Sequence, residues 1–174
     1  MQHTLIALVE DKPGVLNRVA SLFRRRAFNI DSLTVGHTEK PGISRMTIVV
    51  NSDEISAERV VANLYKLVNV IQVDDLGRTS AVSRDLALVK VSADSVNRIE
   101  IMQLVEVFRA RIVDVANDSL IIEITGDEEK IDSFVDVLRP YGIIEMVRTG
   151  VVAMARGAQA LPDTSLSAGS SIAV

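Results

Sequence analysis

The spacing of apolar residues switches between two and 3.6 along this chain, and the switches come in the same order in both halves. Residues 3–9 read as a short buried strand. Residues 13–26 have helical spacing, with Val15, Leu16, Val19, Ala20, Leu22 and Phe23 on one broad face. Residues 28–37 and 43–51 read as strands joined at Pro41-Gly42, a turn pair between two β-rich runs, so a hairpin is expected. A helix over 54–67 carries Ala57, Val60, Val61, Leu64 and Leu67 inward, and a strand over 70–76 closes the first half. Residues 77–85 are polar and aperiodic and read as a linker. The second half repeats the order: strand 86–91; helix 95–109 with Ile101, Met102, Val105 and Phe108 inward; strands 111–116 and 119–125; helix 128–139 with Ile131, Phe134, Val135 and Leu138 inward; strand 143–148. Asn117-Asp118 can supply the positive φ values that a tight hairpin needs.

Two β-α-β-β-α-β units in tandem are the ferredoxin-like pattern, so the expected class is α+β with domains at 1–76 and 86–157. Residues 158–174 are rich in Ala, Ser and Gly and read as a disordered tail. Helices on one face of each sheet leave the other face and the edges free, which favours pairing with a second copy.

Fold alone does not give function, but composition removes several classes. Only 3% of residues are aromatic against 48% hydrophobic, so the core is aliphatic and the strands lack the base-stacking rings of RNA-binding relatives of this fold. A net charge of −4 excludes the broad basic field of a nucleic-acid binder. The run Arg24-Arg25-Arg26 reads instead as a solvated last helical turn that complements the helix dipole. With no Cys there are no disulfides, thiolate nucleophiles or Cys-based metal sites. His3 and His37 are the only histidines; they fall on separate strands without metal spacing, and no Ser-His-Asp constellation can be built on them. No glycine pattern matches a dinucleotide or P-loop fingerprint. No secretory signal is expected, and the apolar runs are too short to span a bilayer, so a cytoplasmic location is expected.

The remaining feature is the turn Glu10-Asp11-Lys12-Pro13-Gly14-Val15-Leu16. Asp11 can cap the helix through its carboxylate. Pro13 pre-sets helical φ where its missing N–H costs little. Gly14 lets a ligand or another backbone come close. Free N–H groups at the helix start suit a carboxylate, and Asp11 suits an ammonium group, so the turn can take an α-amino acid. The same residues also make a plain helix start, and the sequence pattern leaves both readings open.

Asp11-Lys12-Pro13-Gly14-Val15-Leu16 resembles the first turn of ACT domains, the small amino-acid-sensing modules of metabolic enzymes. Phe28-Asn29-Ile30-Asp31-Ser32-Leu33-Thr34-Val35 and Ser44-Arg45-Met46-Thr47-Ile48 narrow the resemblance to the small regulatory subunits of acetolactate synthase (acetohydroxyacid synthase). In the second half, Phe108-Arg109-Ala110-Arg111-Ile112-Val113-Asp114-Val115, Glu123-Ile124-Thr125-Gly126 and the run from Ile144 to Gly157 are similar to the same family. The resemblance implies a non-catalytic chain that carries no cofactor and activates a large catalytic subunit holding thiamine diphosphate, Mg²⁺ and FAD. It also implies feedback inhibition, usually by valine, in branched-chain amino-acid biosynthesis. The implied site lies between two ACT domains of a homodimer, formed by Asp11, Lys12, Pro13, Gly14, Val15 and Leu16 with Asn29 and Ile30. The family often has Asn where Asp11 stands; an ionised Asp only accepts hydrogen bonds. Three competing readings are a free-standing amino-acid sensor, an acylphosphatase-like enzyme and a structural dimerisation module. The second unit has Val91-Ser92-Ala93-Asp94-Ser95 in place of the Pro-Gly turn; Asp94 or Ser95 can cap that helix, and no effector site is expected there.

Overall fold

The computed structural model describes residues 2–51 and 54–157; the expected tail at 158–174 lies outside the described residues. The described residues divide into two compact units, residues 2–82 with 153–157, and residues 83–152. The first contains β1 (Gln2–Glu10), α1 (Val15–Arg25), β2 (Ser32–His37), β3 (Ile43–Asn51), α2 (Glu54–Leu64) and β4 (Val70–Asp75), in the sheet order β2-β3-β1-β4. The second unit contains α3 (Arg98–Val107), β6 (Arg111–Val115), β7 (Ser119–Gly126), α4 (Glu128–Leu138) and β8 (Ile143–Arg148). With β5 (Ala81–Ser92) they give the matching order β6-β7-β5-β8, and a short β9 (Val152–Ala155) also pairs with β5. The architecture is therefore two tandem ferredoxin-like α+β units.

The repeat extends to irregularities. The pairing of β1 with β4 slips between Leu8 and Val9, and that of β5 with β8 slips between Lys90 and Val91. Each core lies between one sheet face and two helices. In the first unit Leu5, Ala7 and Val9 of β1 meet Val19 and Phe23 of α1 and Val60 and Leu64 of α2. In the second, Ala87, Val89 and Val91 meet Ile101, Phe134 and Leu138. Each such large aliphatic or aromatic side chain contributes about 1.5–3 kcal/mol when fully buried.

Both first helices of the units end in the same way, with a residue in left-handed geometry that is not glycine: Ala27 (φ 55°) and Arg109 (φ 53°). The Ala27 N–H donates to Arg24 O and the Phe28 N–H to Phe23 O; the Arg109 N–H donates to Glu106 O and the Ala110 N–H to Val105 O. This is the Schellman arrangement, and the rings of Phe23 and Phe28 meet edge to face at 6.4 Å to complete it. A Cβ in this conformation costs about 1–2 kcal/mol. Part of that is returned because glycine loses more chain entropy on folding. Ala27→Gly is thus expected to stabilise the chain by about 0.5–1 kcal/mol. A raised urea midpoint at unchanged slope is the check; an unchanged or lowered midpoint would contradict the strain argument.

Several expectations need correction. The first helix begins at Val15, not residue 13, and Pro13 lies in the turn ahead of it. Leu16 and Met102, expected inward, are 46% exposed. Asn117 and Asp118 do not take positive φ. The Ala116 N–H still closes their hairpin on Ser119 O at 2.9 Å, while a register shift between Ile112 and Asp114 supplies the local twist. The expected linker is largely ordered structure: Leu76–Arg78 is a 3-10 turn capped by Asp75, and β5 starts at Ala81. The Arg156 N–H donates to Ser80 O, which holds this segment through a partner far along the chain. Finally, the sheet face away from the helices is not free in the first unit. Ile6, Thr47 and Val49 on that face are buried, and Arg45 Nη2 donates to the carbonyl of buried Ala153 at 2.6 Å. In the second unit the corresponding face is open: Val147 is 58% exposed, beside the Lys90–Glu145 ion pair.

Candidate functional site at the first turn

At the end of β1 the Glu10 N–H donates to Asn69 O (2.9 Å) and the Asp11 N–H to Gly42 O (2.8 Å). Gly14 then turns the chain with φ 84° and stands at the N-terminus of α1, where no side chain caps the helix. A Cβ placed on Gly14 would meet nothing within 4 Å. The left-handed glycine thus opens space beside an uncapped helix start, the geometry that receives an anion.

Asp11 does not cap the helix, in contrast to expectation. Gly14 delays the helix start to Val15, and the Asp11 carboxylate lies 3.3 Å from His37 Nδ1 on β2 instead. Lys12 Nζ is 3.0 Å from Glu10 Oε2. The same Glu10 oxygen accepts from Asn69 Nδ2 at 2.6 Å. These contacts hold the Glu10 carboxyl below the usual carboxylate range, the Asn69 hydrogen bond first and Lys12 second. Lys12, Pro13, Gly14 and Leu16 are exposed, whereas Val15 belongs to the core.

Asn29 and Ile30 are not brought to this turn within one chain. The Asp31 N–H donates to Val49 O, and Val49 pairs with Thr4, whereas the turn follows Glu10 at the other end of β1. Six residues of strand separate the two places by about 20 Å. Asn29 is exposed, and its Nδ2 donates to Asp31 Oδ1 at 2.8 Å; Ile30 is half-buried against the core. Ala27 rather than Asn29 takes the left-handed position that ends α1. The structure adds residues that sequence reasoning had left out: Glu10, Arg18 and His37 near the turn, and Asn69, a buried polar residue at the start of β4.

The second unit repeats the backbone frame but fills the turn. The Ser92 N–H donates to Gly142 O and the Ala93 N–H to Asp118 O, both at 2.9 Å. Asp94 Oδ1 accepts from Val96 N–H (2.8 Å) and Asn97 N–H (3.0 Å), and Asn97 Oδ1 accepts from Asp94 N–H (2.9 Å). Those two backbone bonds, from Asn97 and then Val96, hold the Asp94 carboxyl below its usual range. Here two N–H groups of the turn ahead of α3 are taken by a side chain, whereas in the first unit the Val15 N–H donates to Lys12 O (3.3 Å) and no side chain enters the turn. Among the described residues no group of His, Cys, Asp or Glu could hold a metal ion, and no helix is long and apolar enough to cross a membrane.

Residues 5–72 match the family described as the AHAS small subunit-like ACT domain, and residues 84–157 the small subunit of acetolactate synthase. The chain belongs to the acetolactate synthase small-subunit family. A probable acetolactate synthase small subunit of Archaeoglobus fulgidus is 56% identical over 157 residues, covering 90% of this chain and 98% of that one. The acetolactate synthase small subunit of Mycolicibacterium smegmatis is 52% identical over 155 residues, covering 89% and 91%. The crystal structure of the acetolactate synthase small subunit from Thermotoga maritima superposes with a TM-score of 0.85 at 44% identity, covering 90% of this chain and 98% of that one. As a member of this family the chain is a regulatory subunit, not the catalytic one. The two matched segments fall on the two sheets, and the first contains the whole Gly14 turn.

Proposed function

We propose that this chain binds a branched-chain aliphatic amino acid, valine foremost, at the Gly14 turn and thereby controls acetolactate synthase. The observation that carries the reading is the open, left-handed Gly14 turn at the uncapped start of α1, at a place where the turn of the second unit is occupied by its own Asp94 side chain. The effector carboxylate takes the backbone N–H groups at the start of α1, and its ammonium group faces the Asp11 carboxylate. In this reading the chain is cytoplasmic. It docks on a large subunit that holds thiamine diphosphate, Mg²⁺ and FAD, and carries no cofactor itself. It raises the activity of that subunit and makes it sensitive to feedback.

Pairing with a second copy completes the site. β2 is an edge strand, with Val35 43% exposed and Leu16 of α1 46% exposed. Antiparallel pairing of two β2 edges reverses one strand against the other. The second copy's Asn29 and Ile30, about 20 Å from the turn in their own chain, then lie beside the His37 end of the first chain. Asn29 fixes the remaining polar group of the effector, while Leu16 and Ile30 hold the branched side chain. Occupancy then biases how the two copies pair, with a coupling of about 1–3 kcal/mol.

Each buried methylene contributes about 0.8 kcal/mol, so valine is expected to bind more tightly than alanine by about 1–3 kcal/mol. Calorimetric titration of the full chain with valine, leucine, isoleucine and alanine checks this. Saturable valine binding, with alanine about tenfold or more weaker, is the expected result. If no amino acid bound, either to the chain alone or to its complex with the large subunit, the proposal would fail.

A further inference from the structure

Behind the turn lies a polar chain that the fold itself does not require. Asn69 is 7% exposed. Its Nδ2 donates to Glu10 Oε2, its Oδ1 accepts from Arg18 on α1, and its backbone carbonyl accepts from the Glu10 N–H. Glu10 Oε2 in turn holds Lys12 Nζ at 3.0 Å. One buried amide therefore ties together the end of β1, the start of β4, the first turn of α1 and a side chain of the effector turn.

The second unit has the same frame without this chain. There the matching strand-end bond runs from Ser92 N–H to Gly142 O at 2.9 Å, so Ser92 and Gly142 stand where the first unit has Glu10 and Asn69. Burying an amide costs its hydration, and its hydrogen bonds return only a small net gain. An amide kept where the fold accepts glycine points to a task beyond folding. At this same end of the frame the first unit also has the open Gly14 turn, where the second has a turn occupied by Asp94.

We infer that Asn69 is a positioning residue of the effector site: through Glu10 and Arg18 it fixes Lys12 and the first turn of α1 in the geometry that receives the effector carboxylate. The inference rests on the reading that this turn takes an amino acid. The Asn69 hydrogen bond also leads the causes that depress the Glu10 carboxyl. Glu10 therefore stays ionised, and keeps hold of Lys12, at acidity where an ordinary glutamate begins to protonate.

The test compares valine titrations of the full chain with those of Asn69→Gly, Asn69→Leu and Arg18→Ala, alongside an NMR titration of the Glu10 carboxyl. Asn69→Gly installs the residue that the second unit already uses at this place, so the fold should survive, and hydrogen exchange in β1 and β3 monitors that. Valine affinity is expected to fall about tenfold or more in both Asn69 variants, and the Glu10 midpoint to rise toward the ordinary glutamate value. Arg18→Ala combined with Asn69→Gly should bind no more weakly than Asn69→Gly alone, as for members of one network. A merely structural role would shift the Glu10 midpoint in the same way but leave the valine affinity of the folded variants at the wild-type value. If folded Asn69→Gly binds valine within twofold of the wild type, the inference is overturned and the reading of the turn stands. If the wild type binds no amino acid, alone or with the large subunit, both are overturned.

Discussion

Gly14→Asp is expected to abolish valine binding while leaving the chain folded. Gly14 has φ 84° and open space where a Cβ would go, so the new side chain meets no neighbour. The left-handed backbone costs an L-residue about 1–2 kcal/mol, and Asp is among the residues that tolerate it best. A carboxylate at a helix start returns about 0.3–1 kcal/mol of that. Folding stability should therefore move little. Binding should change greatly, because the new carboxylate occupies the anion position itself. Two like charges about 4 Å apart near a protein surface repel by about 4 kcal/mol, more than a hundredfold in affinity. The control is Val96→Asp at the corresponding turn of the second unit, where Val96 is 82% exposed and its N–H already donates to the Asp94 side chain. That variant should bind valine as the wild type does. Calorimetry on both variants, with a unit-specific unfolding probe beside it, makes the comparison. Valine binding by Gly14→Asp within threefold of the wild type would move the effector away from this turn.

The elements most legible in the sequence are those whose burial follows one periodicity. All four inward residues expected for α4, Ile131, Phe134, Val135 and Leu138, are buried, because a single apolar stripe faces a single sheet. In α3 the stripe is blurred: Ile99 (66% exposed) and Met102 (46%) stand outside while Ile101 and Val105 are buried. A helix with apolar residues nearly all round does not announce its inner face, so its period does not tell that Met102 faces outward. The Gly14 turn was legible because glycine there has a backbone reason, φ 84°. The absence of an Asp11 cap is not legible, because one left-handed residue shifts the helix start beyond the reach of Asp11. The role of Asn69 was not legible at all. Its partners, Arg18 and Glu10, lie 51 and 59 residues away in the chain, and nothing in the local pattern Leu67-Val68-Asn69-Val70 distinguishes a buried amide from a turn residue. Likewise β9 is held by pairing to β5 rather than by its own four-residue pattern. What escapes the sequence here is hydrogen bonding between segments far apart, which leaves no period.

Asp85→Ala carries the same lesson into stability, and its expected effect on folding is the larger one. Asp85 ends a polar stretch that reads as linker, yet its side chain is only 6% exposed. It accepts from Arg148 Nε at 2.8 Å, while Arg148 Nη1 donates to Asp132 Oδ1 at 2.8 Å. The pair joins β5 to the closing strand β8, and Asp132 brings in α4. Removing Asp85 leaves a guanidinium, 23% exposed, with only the outer carboxylate. Breaking a buried pair on one side costs about 3–5 kcal/mol, because the remaining charge stays desolvated. Asp132 is 57% exposed, so Asp132→Ala should cost about 1 kcal/mol or less. Asp85→Asn keeps an acceptor for Arg148 and should fall between the two. A chain of two units need not unfold in one step, so the loss is best read by hydrogen exchange in β5 and β7 of the second unit. Protection there should fall by the full amount, while that of β1 and β3 stays. A loss below about 1 kcal/mol for Asp85→Ala would mean that Asp132 and water satisfy Arg148 unaided, and that the polar start of β5 anchors nothing.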